Sequence, residues 1–250
     1  HCIAEEICKA FDLRSIIYFY LNKYHKSGKD SEKMLDIALG NNLLEFEIKA
    51  IFNMITVHSH FSNSGFDIGK LYNRLEEISI VTKKQCYVHA CNNQLGNYYF
   101  RQGQYSKALG YYKNEVSFFK MINEEFYYYR NLHYLALCHY YMGNTSTALK
   151  NFYEICSSAS ISNFDIISHS HNFIGRIYDN MNEMRKSLKH FRKSINFAIE
   201  SSYGLMIADS IKSIGYVYKR NGYKDKALRY FIKAVREYNR IKKHIGTDLY

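Results

Sequence analysis

Four segments of this chain repeat one skeleton at nearly constant spacing, and that regularity restricts the fold more than any single residue does. Each segment carries an aliphatic residue followed by a small one, then an aromatic, a turn residue, a second small residue and a second aromatic. The first reads Leu95-Gly96, Tyr99, Gly103, Ala108, Tyr112, and the second Leu135-Ala136, Tyr140, Gly143, Ala148, Phe152. The third reads Ile174-Gly175, Tyr178, Asn182, Ser187, Phe191, and the fourth Ile214-Gly215, Tyr218, Gly222, Ala227, Phe231. The leading small residues at 96, 136, 175 and 215 are 40, 39 and 40 residues apart. A fixed period of tens of residues is the signature of a solenoid built from one supersecondary unit.

Each position has a physical reason. Gly96, Ala136, Gly175 and Gly215 let two helices approach closely, and Ala108, Ala148, Ser187 and Ala227 do so from the second helix; bulk at either place would prise the pair apart. Gly103, Gly143, Asn182 and Gly222 supply the left-handed conformation that ends a helix. The aromatic at Tyr112, Phe152, Phe191 and Phe231 is expected to pack into the next unit. Apolar spacing of three and four flanks every turn, which is helical and not strand-like. The chain has no Pro at all, which fits an unbroken succession of helices.

This skeleton resembles the tetratricopeptide repeat family, in which a small residue, an aromatic, a turn Gly, an Ala and a second aromatic recur in a helix-turn-helix unit. The likeness covers residues 85–243. The spacing exceeds the family's usual period of about 34, and the customary Pro after the second helix is missing. Lengthened repeats of this sort are similar to those of bacterial cytoplasmic regulators that bind signalling peptides. The expected fold is therefore all-α: a right-handed superhelical solenoid of about six helix-turn-helix repeats filling 1–250. The clear repeats are 85–122, 125–160, 164–200 and 204–243. Stepping back by the same period gives degenerate ones at 45–83, turning at Ser62-Asn63-Ser64-Gly65, and at 4–43, turning at Ser27-Gly28-Lys29-Asp30 with Asp30 or Ser31 as helix cap. The chain opens on His1 and stops soon after a basic helix, so it is expected to be part of a longer protein.

Composition narrows the partners. The 34 Lys and Arg outweigh 23 Asp and Glu to give +11, which favours an acidic peptide or protein segment. Six cysteines lie scattered without a CxxC pair; most, including Cys86 and Cys91, sit in apolar helical patterns as reduced core thiols would, which points to the cytoplasm. Apolar runs fall short of the roughly 20 residues that span a bilayer, so no membrane role is expected. The last helix carries Lys224, Lys226, Arg229, Lys233, Arg236, Arg240, Lys242 and Lys243. It could meet nucleic acid, but no aromatic-basic platform or reading helix accompanies the charge, and a solvated outer face is the preferred reading.

In the resembling family the first helix of each pair lines a concave surface, so the phase of the small residue selects the groove. The positions so chosen are Asn93, Asn97 and Arg101, then Arg130, His133, Tyr140 and Tyr141, then Asn172 and Arg176, and finally Lys212, Tyr216 and Lys219. Asn can bond a peptide's N–H and C=O together, Arg and Lys can meet carboxylates, and Tyr adds apolar contact with a polar tip.

Catalytic patterns are absent. No phosphate loop, GxSxG or HExxH occurs, and the adjacent acids Glu76 and Glu77 diverge by about 100° on a helix. His58-Ser59-His60 and His169-Ser170-His171 place their imidazoles about 200° apart on a helix, so neither pair holds a metal by itself. No cofactor is implied. The reading is a non-enzymatic sensor domain of a bacterial signalling or transcription regulator, binding a peptide or protein segment and passing the event to an effector domain or across a homodimer. A static adaptor is the alternative reading, and nucleic-acid contact through the last helix a third.

Overall fold

The computed structural model describes residues 2–61, 65–158 and 164–247, with side chains through Lys242. These residues form helices and turns alone. The helices are α1 Cys2–Tyr20, α2 Tyr24–Gly40, α3 Leu44–His60, α4 Ile68–Thr82, α5 Gln85–Arg101, α6 Tyr105–Met121, α7 Glu125–Tyr141, α8 Thr145–Cys156, α9 Phe164–Asn180, α10 Met184–Glu200, α11 Gly204–Arg220 and α12 Lys224–Thr247. The chain divides into two compact units, His1–Glu115 and Val116–Tyr250.

The turns obey the local chemistry that the sequence set out. Gly103, Gly143, Asn182 and Gly222 hold φ of +72°, +80°, +59° and +82°. The residue after each donates its N–H to the carbonyl five positions back: Gln104 to Tyr99 at 2.9 Å, Asn144 to His139 at 2.9 Å, Glu183 to Tyr178 at 2.8 Å and Tyr223 to Tyr218 at 3.0 Å. This satisfies one of the carbonyls a helix end leaves orphaned.

In the first unit α1, α3 and α5 pack in series as one layer, and α2 and α4 cover them from the other side. Ile48, Ile51, Ile55, Leu75, Ile78, Val88, Cys91 and Leu95 make one buried cluster, and Cys8, Met34, Ala38, Phe46 and Ala50 another. Burial of each large aliphatic side chain stabilises the fold by roughly 1.5–3 kcal/mol. The second unit repeats the pattern, with α7, α9 and α11 in one layer and α8, α10 and α12 against them.

The small residues act as sockets. A Cβ on Gly96 would lie 2.9 Å from the ring of Tyr112, one on Gly175 2.9 Å from Phe191, and one on Gly215 2.7 Å from Phe231. These aromatics therefore seat on the small residue of their own pair, where the sequence placed them in the next one. The two roles are compatible: Phe191 also clusters with Ile214 and Val217 of α11, and Phe152 stacks on Phe173 of α9 at 5.7 Å and 14°.

Two expectations are corrected. Ser27-Gly28-Lys29-Asp30 is not a turn but lies inside α2; the chain turns instead at residues 21–23, with Asn22 at φ +56°. The polar residues that suggested a cap are contacts between helices. Ser15 of α1 bonds Ser27 and Ser31 hydroxyls at 3.1 and 2.8 Å, Gly28 meets Phe66, and buried Asp30 pairs with Arg14 at 2.6 and 2.8 Å. Ser15 is thus the small residue of the first pair. Cys86, taken as a core thiol with Cys91, is exposed in the first turn of α5, whereas Cys91 is buried. Residues 62–64 of the second expected turn lie outside the described residues, between α3 and α4.

Candidate functional site

In the second unit, residues of α7, α9 and α11, with Phe191 of α10, line a groove of about 440 Å³. The helix phase brings Tyr140 from α7, Arg176 and Asn180 from α9, and Lys212, Tyr216 and Arg220 from α11 onto its walls. Phe191 of α10, seated on Gly175 and 1% exposed, lies behind the groove wall. Tyr216, 52% exposed, packs its ring edge-on against Phe231 at 5.1 Å.

The cations in this groove are not equivalent. Lys212 Nζ sits 2.7 Å from Asp209 Oδ1 and 3.1 Å from the Tyr238 hydroxyl, which in turn donates to Asp209. Burial would raise the Asp209 carboxyl, but the bonds from Lys212 and Tyr238 outweigh it and hold it below its ordinary range. Arg220 pairs with Asp179 Oδ2 at 3.3 Å and donates to the Asp179 carbonyl at 3.1 Å. Burial pushes the Asp179 carboxyl up, and Arg220 opposes this. Arg176 lies over the ring of Phe173 at 4.9 Å, and among the described residues no carboxylate is within ion-pair distance of it. A guanidinium over an aromatic ring, with no carboxylate within ion-pair distance, is suited to meet a carboxylate.

The structure therefore brings together Tyr140, Arg176, Lys212 and Tyr216 of the positions chosen from sequence. Arg130, Tyr141 and Lys219 are exposed on the same helices but do not line the groove. His133 and Asn172 lie beneath the surface and not on it. His133 is buried and bonds Ser170 Oγ at 3.2 Å; Asn172 donates to Ser210 Oγ at 2.8 Å and is 1% exposed. Both stand three residues before the small residue, as Lys212 does, but His133 packs against Phe173 and Asn172 is bonded to buried Ser210.

Asn93, Asn97 and Arg101 belong to the first unit, where they are engaged internally. Asn93 bonds the His89 carbonyl at 3.1 Å and Glu115 Oε2 at 3.4 Å, Asn97 accepts from Tyr112 at 2.8 Å, and Arg101 donates to the Ser59 carbonyl. Arg101 and Arg220 hold the same place in their repeats: each ends a first helix and binds a carbonyl in the last turn of the preceding first helix. The signal was an Arg five residues after the small Gly, which reads equally well as a groove cation.

The sequence also missed a second groove. In the first unit a volume of about 300 Å³ is lined by Ile16, Phe19 and Tyr20 of α1, Asn53 and Thr56 of α3, and Gln94 of α5. Recognising Ser15 as the small residue of its pair would have placed these residues on the same face. Among the described residues no group of three His, Cys, Asp or Glu is arranged to hold a metal, and no helix is long and apolar enough to cross a membrane.

Comparison with known proteins agrees with this architecture. The tetratricopeptide repeat family model matches residues 168–198 and 213–239, which run from α9 into α10 and from α11 into α12. No curated protein sequence matches the chain. Among solved structures, the chain is similar to BtubC (BKLC) from P. vanneervenii, with TM-score 0.66 and 14% identity over 89% of this chain and 92% of that one. It is similar to a signal transduction ATPase with numerous domains bearing a tetratricopeptide repeat sensor, from Pyrococcus horikoshii, with TM-score 0.72 and 16% identity over 97% of this chain and 38% of that one. A Rap protein complexed with competence and sporulation factor is similar over 95% of this chain and 76% of that one, with TM-score 0.58 and 10% identity. At these identities the likeness is one of fold. The α9–α10 and α11–α12 pairs are thus tetratricopeptide repeats, set in an all-α chain built throughout from helix pairs of the same kind.

Proposed function

We propose that the second unit binds an extended peptide or protein segment in the groove of α7, α9 and α11, with a carboxylate of the ligand on Arg176. The observation that carries this is the unpaired guanidinium seated over Phe173, in a groove whose other two cations already have acidic partners. Tyr140 and Tyr216 flank it and supply apolar area with a hydroxyl at the rim, a pairing suited to a peptide side chain beside its backbone. The fold supports the same reading, since tetratricopeptide repeats are in general non-catalytic interaction scaffolds. Two proteins of similar fold are described as a repeat sensor and as a complex with competence and sporulation factor. On this reading the chain is the sensing part of a cytoplasmic signalling regulator, and ligand capture favours one arrangement of its helices that an effector reads.

A displayed peptide library panned against the purified chain tests the ligand class. Enrichment of peptides with an acidic residue or a free terminal carboxylate, abolished when the carboxylates are amidated, is the expected result. Enrichment indifferent to carboxylates, or of basic peptides, overturns it.

A further inference from the structure

The net charge of the chain is concentrated on two helices. α10 carries five Lys and Arg against Glu200 alone, and α12 eight against Asp225 and Glu237, so ten of the eleven net positive charges lie there. Three other second helices are neutral: α2 has three cations and three acids, α4 two and two, and α8 one and one, while α6 has three against one. The difference is sharpest at equivalent places of the repeat. Lys189, Arg192, Lys193 and Asn196 form one stripe of α10, at spacings of three and four. In α2 the same places hold Lys29, Glu32, Lys33 and Asp36, and in α8 Lys150, Tyr153, Glu154 and Ser157, where acid offsets base. Solvating a second helix therefore does not by itself call for the charge that α10 and α12 carry.

Exposure of the stripe is not an effect of the chain's end. α10 packs on both α9 and α11, yet Lys189, Arg192 and Lys193 stay exposed. α12 starts 40 residues after α10, so its exposed Arg229, Lys233 and Arg236 take the places of Lys189, Lys193 and Asn196, on the side that a neighbouring pair leaves open. Among the described residues, none of these six cations has a carboxylate within ion-pair distance, whereas Lys186 pairs with Glu183 and Arg240 with Glu237. Lys186 and Lys226 lie over the rings of Tyr178 and Tyr218, at 5.1 and 5.6 Å, and serve the repeat itself. None of the six lines the groove of α7, α9 and α11.

We propose that the outer face of α10 and α12 binds nucleic acid through its phosphate backbone, without reading base sequence. A phosphate backbone repeats its charge at short intervals, and Lys meets it as a point charge and Arg as a fork. The α10 stripe holds no aliphatic or aromatic residue. A protein interface would bury such residues at its centre, and a membrane surface would take them into its acyl region. Stacked bases would need exposed rings among the cations, and the stripe offers none, which leaves the backbone as the part that is held. For α12 alone a solvated face accounts for the charge; α10, with the same unbalanced cations at the same places, makes it a surface of the second unit.

Fluorescence anisotropy of a labelled mixed-sequence DNA duplex, titrated with the chain at several salt concentrations, tests this. Binding is expected at low salt, and the logarithm of the association constant should fall against that of salt with a slope of about −5 for six phosphate contacts. Lys189→Gln with Lys193→Gln, and Arg229→Gln with Lys233→Gln, should each make the slope shallower by about 2. Lys29→Gln with Lys33→Gln on α2, and Arg176→Ala in the groove, should leave it unchanged, which separates this surface from the peptide site. All the replaced lysines, and Arg229, are exposed, so thermal melts should show every variant folded. No binding at low salt, a slope untouched by both pairs of substitutions, an equal loss from the α2 variant, or tighter binding to vesicles of equal parts phosphatidylserine and phosphatidylcholine than to the duplex overturns the proposal.

Discussion

His171 of α9 and His190 of α10 face each other Nδ1 to Nδ1 at 3.1 Å, inside the second unit. Tyr178 and Tyr153 hydroxyls are 3.0 Å apart and Tyr153 lies 3.3 Å from His190 Nε2, while Cys156 Sγ lies 3.5 Å from His171 Nδ1. Neutral rings satisfy the contacts between the two histidines and Tyr153. Tyr153 donates to His190 Nε2 and His190 Nδ1–H donates to His171 Nδ1, or, with the tautomers reversed, His171 Nδ1–H donates to His190 Nδ1 and His190 Nε2–H to Tyr153. Protonation of both rings would set two N–H groups against each other.

Acid should therefore unfold the second unit early. Burial, with the charge of nearby Lys193 added, pushes His171 down to about 3 and His190 to about 4, and burial beside His169 takes His133 to about 3. These folded values lie below the unfolded value of about 6.5, so the unfolded chain binds more protons below that pH. The stability is fully present above about pH 6.5 and drains away as pH falls towards the folded values. Thermal unfolding followed from about pH 7.5 to 5 should show Tm dropping below about 6.5, with a shallower drop for His190→Gln. A Tm independent of pH over that interval contradicts the account.

The glycine sockets predict opposite effects of one substitution at two sites. Ala gains about 1 kcal/mol over Gly in a helix, but overpacking a filled core loses about 1–3 kcal/mol. At Gly175 the new Cβ would sit 2.9 Å from the buried Phe191 ring, so overpacking wins and Gly175→Ala should destabilise by about 1–2 kcal/mol. At Gly110, in α6, nothing lies within 4 Å, and Gly110→Ala should stabilise by up to about 1 kcal/mol. Denaturant melts of the two variants check the signs; equal effects would mean the aromatic is not wedged on the glycine.

Glu47 of α3 is 2% exposed and meets Arg74 of α4 at 2.6 and 3.1 Å, through two parallel N–H···O bonds. Arg74→Ala would strand that carboxylate. The loss should be about 2 kcal/mol, below the 3–5 kcal/mol of a fully buried pair because water reaches the half-exposed Arg74 side. The Glu47→Leu, Arg74→Met double variant removes the stranded charge and should recover most of it. A double variant as unstable as Arg74→Ala in denaturant melts would contradict this reading.

How much was legible in the sequence follows from where the information is local. Helix ends were readable because Gly103, Gly143, Asn182 and Gly222 are needed for a conformation that few residues adopt. The four clear helix pairs were readable because the socket holds Gly or Ala at one place in each, at Gly96, Ala136, Gly175 and Gly215. The first pair was misread because it makes the same close contact with Ser15, Ser27 and Ser31, residues that are also the commonest caps and turn formers. The groove was half legible. Helix phase assigns a residue to a side of a helix but not to a depth, so Asn172 and Lys212 are alike in sequence while one is buried under its neighbours and the other lines the groove. Nor does a sequence say which cation already has an acid beside it, and that contrast is what distinguishes Arg176 from Lys212 and Arg220.

The most direct test is a calorimetric titration of the chain with a library-selected acidic peptide, comparing wild type, Arg176→Ala, and Arg229→Ala on the outer side of α12. Loss of one charge-assisted contact should weaken binding to Arg176→Ala by about 1.5–3 kcal/mol, roughly tenfold to a hundredfold, with Arg229→Ala indistinguishable from wild type. Equal affinity for wild type and Arg176→Ala would contradict the claim that the groove of α7, α9 and α11 captures its ligand through that guanidinium.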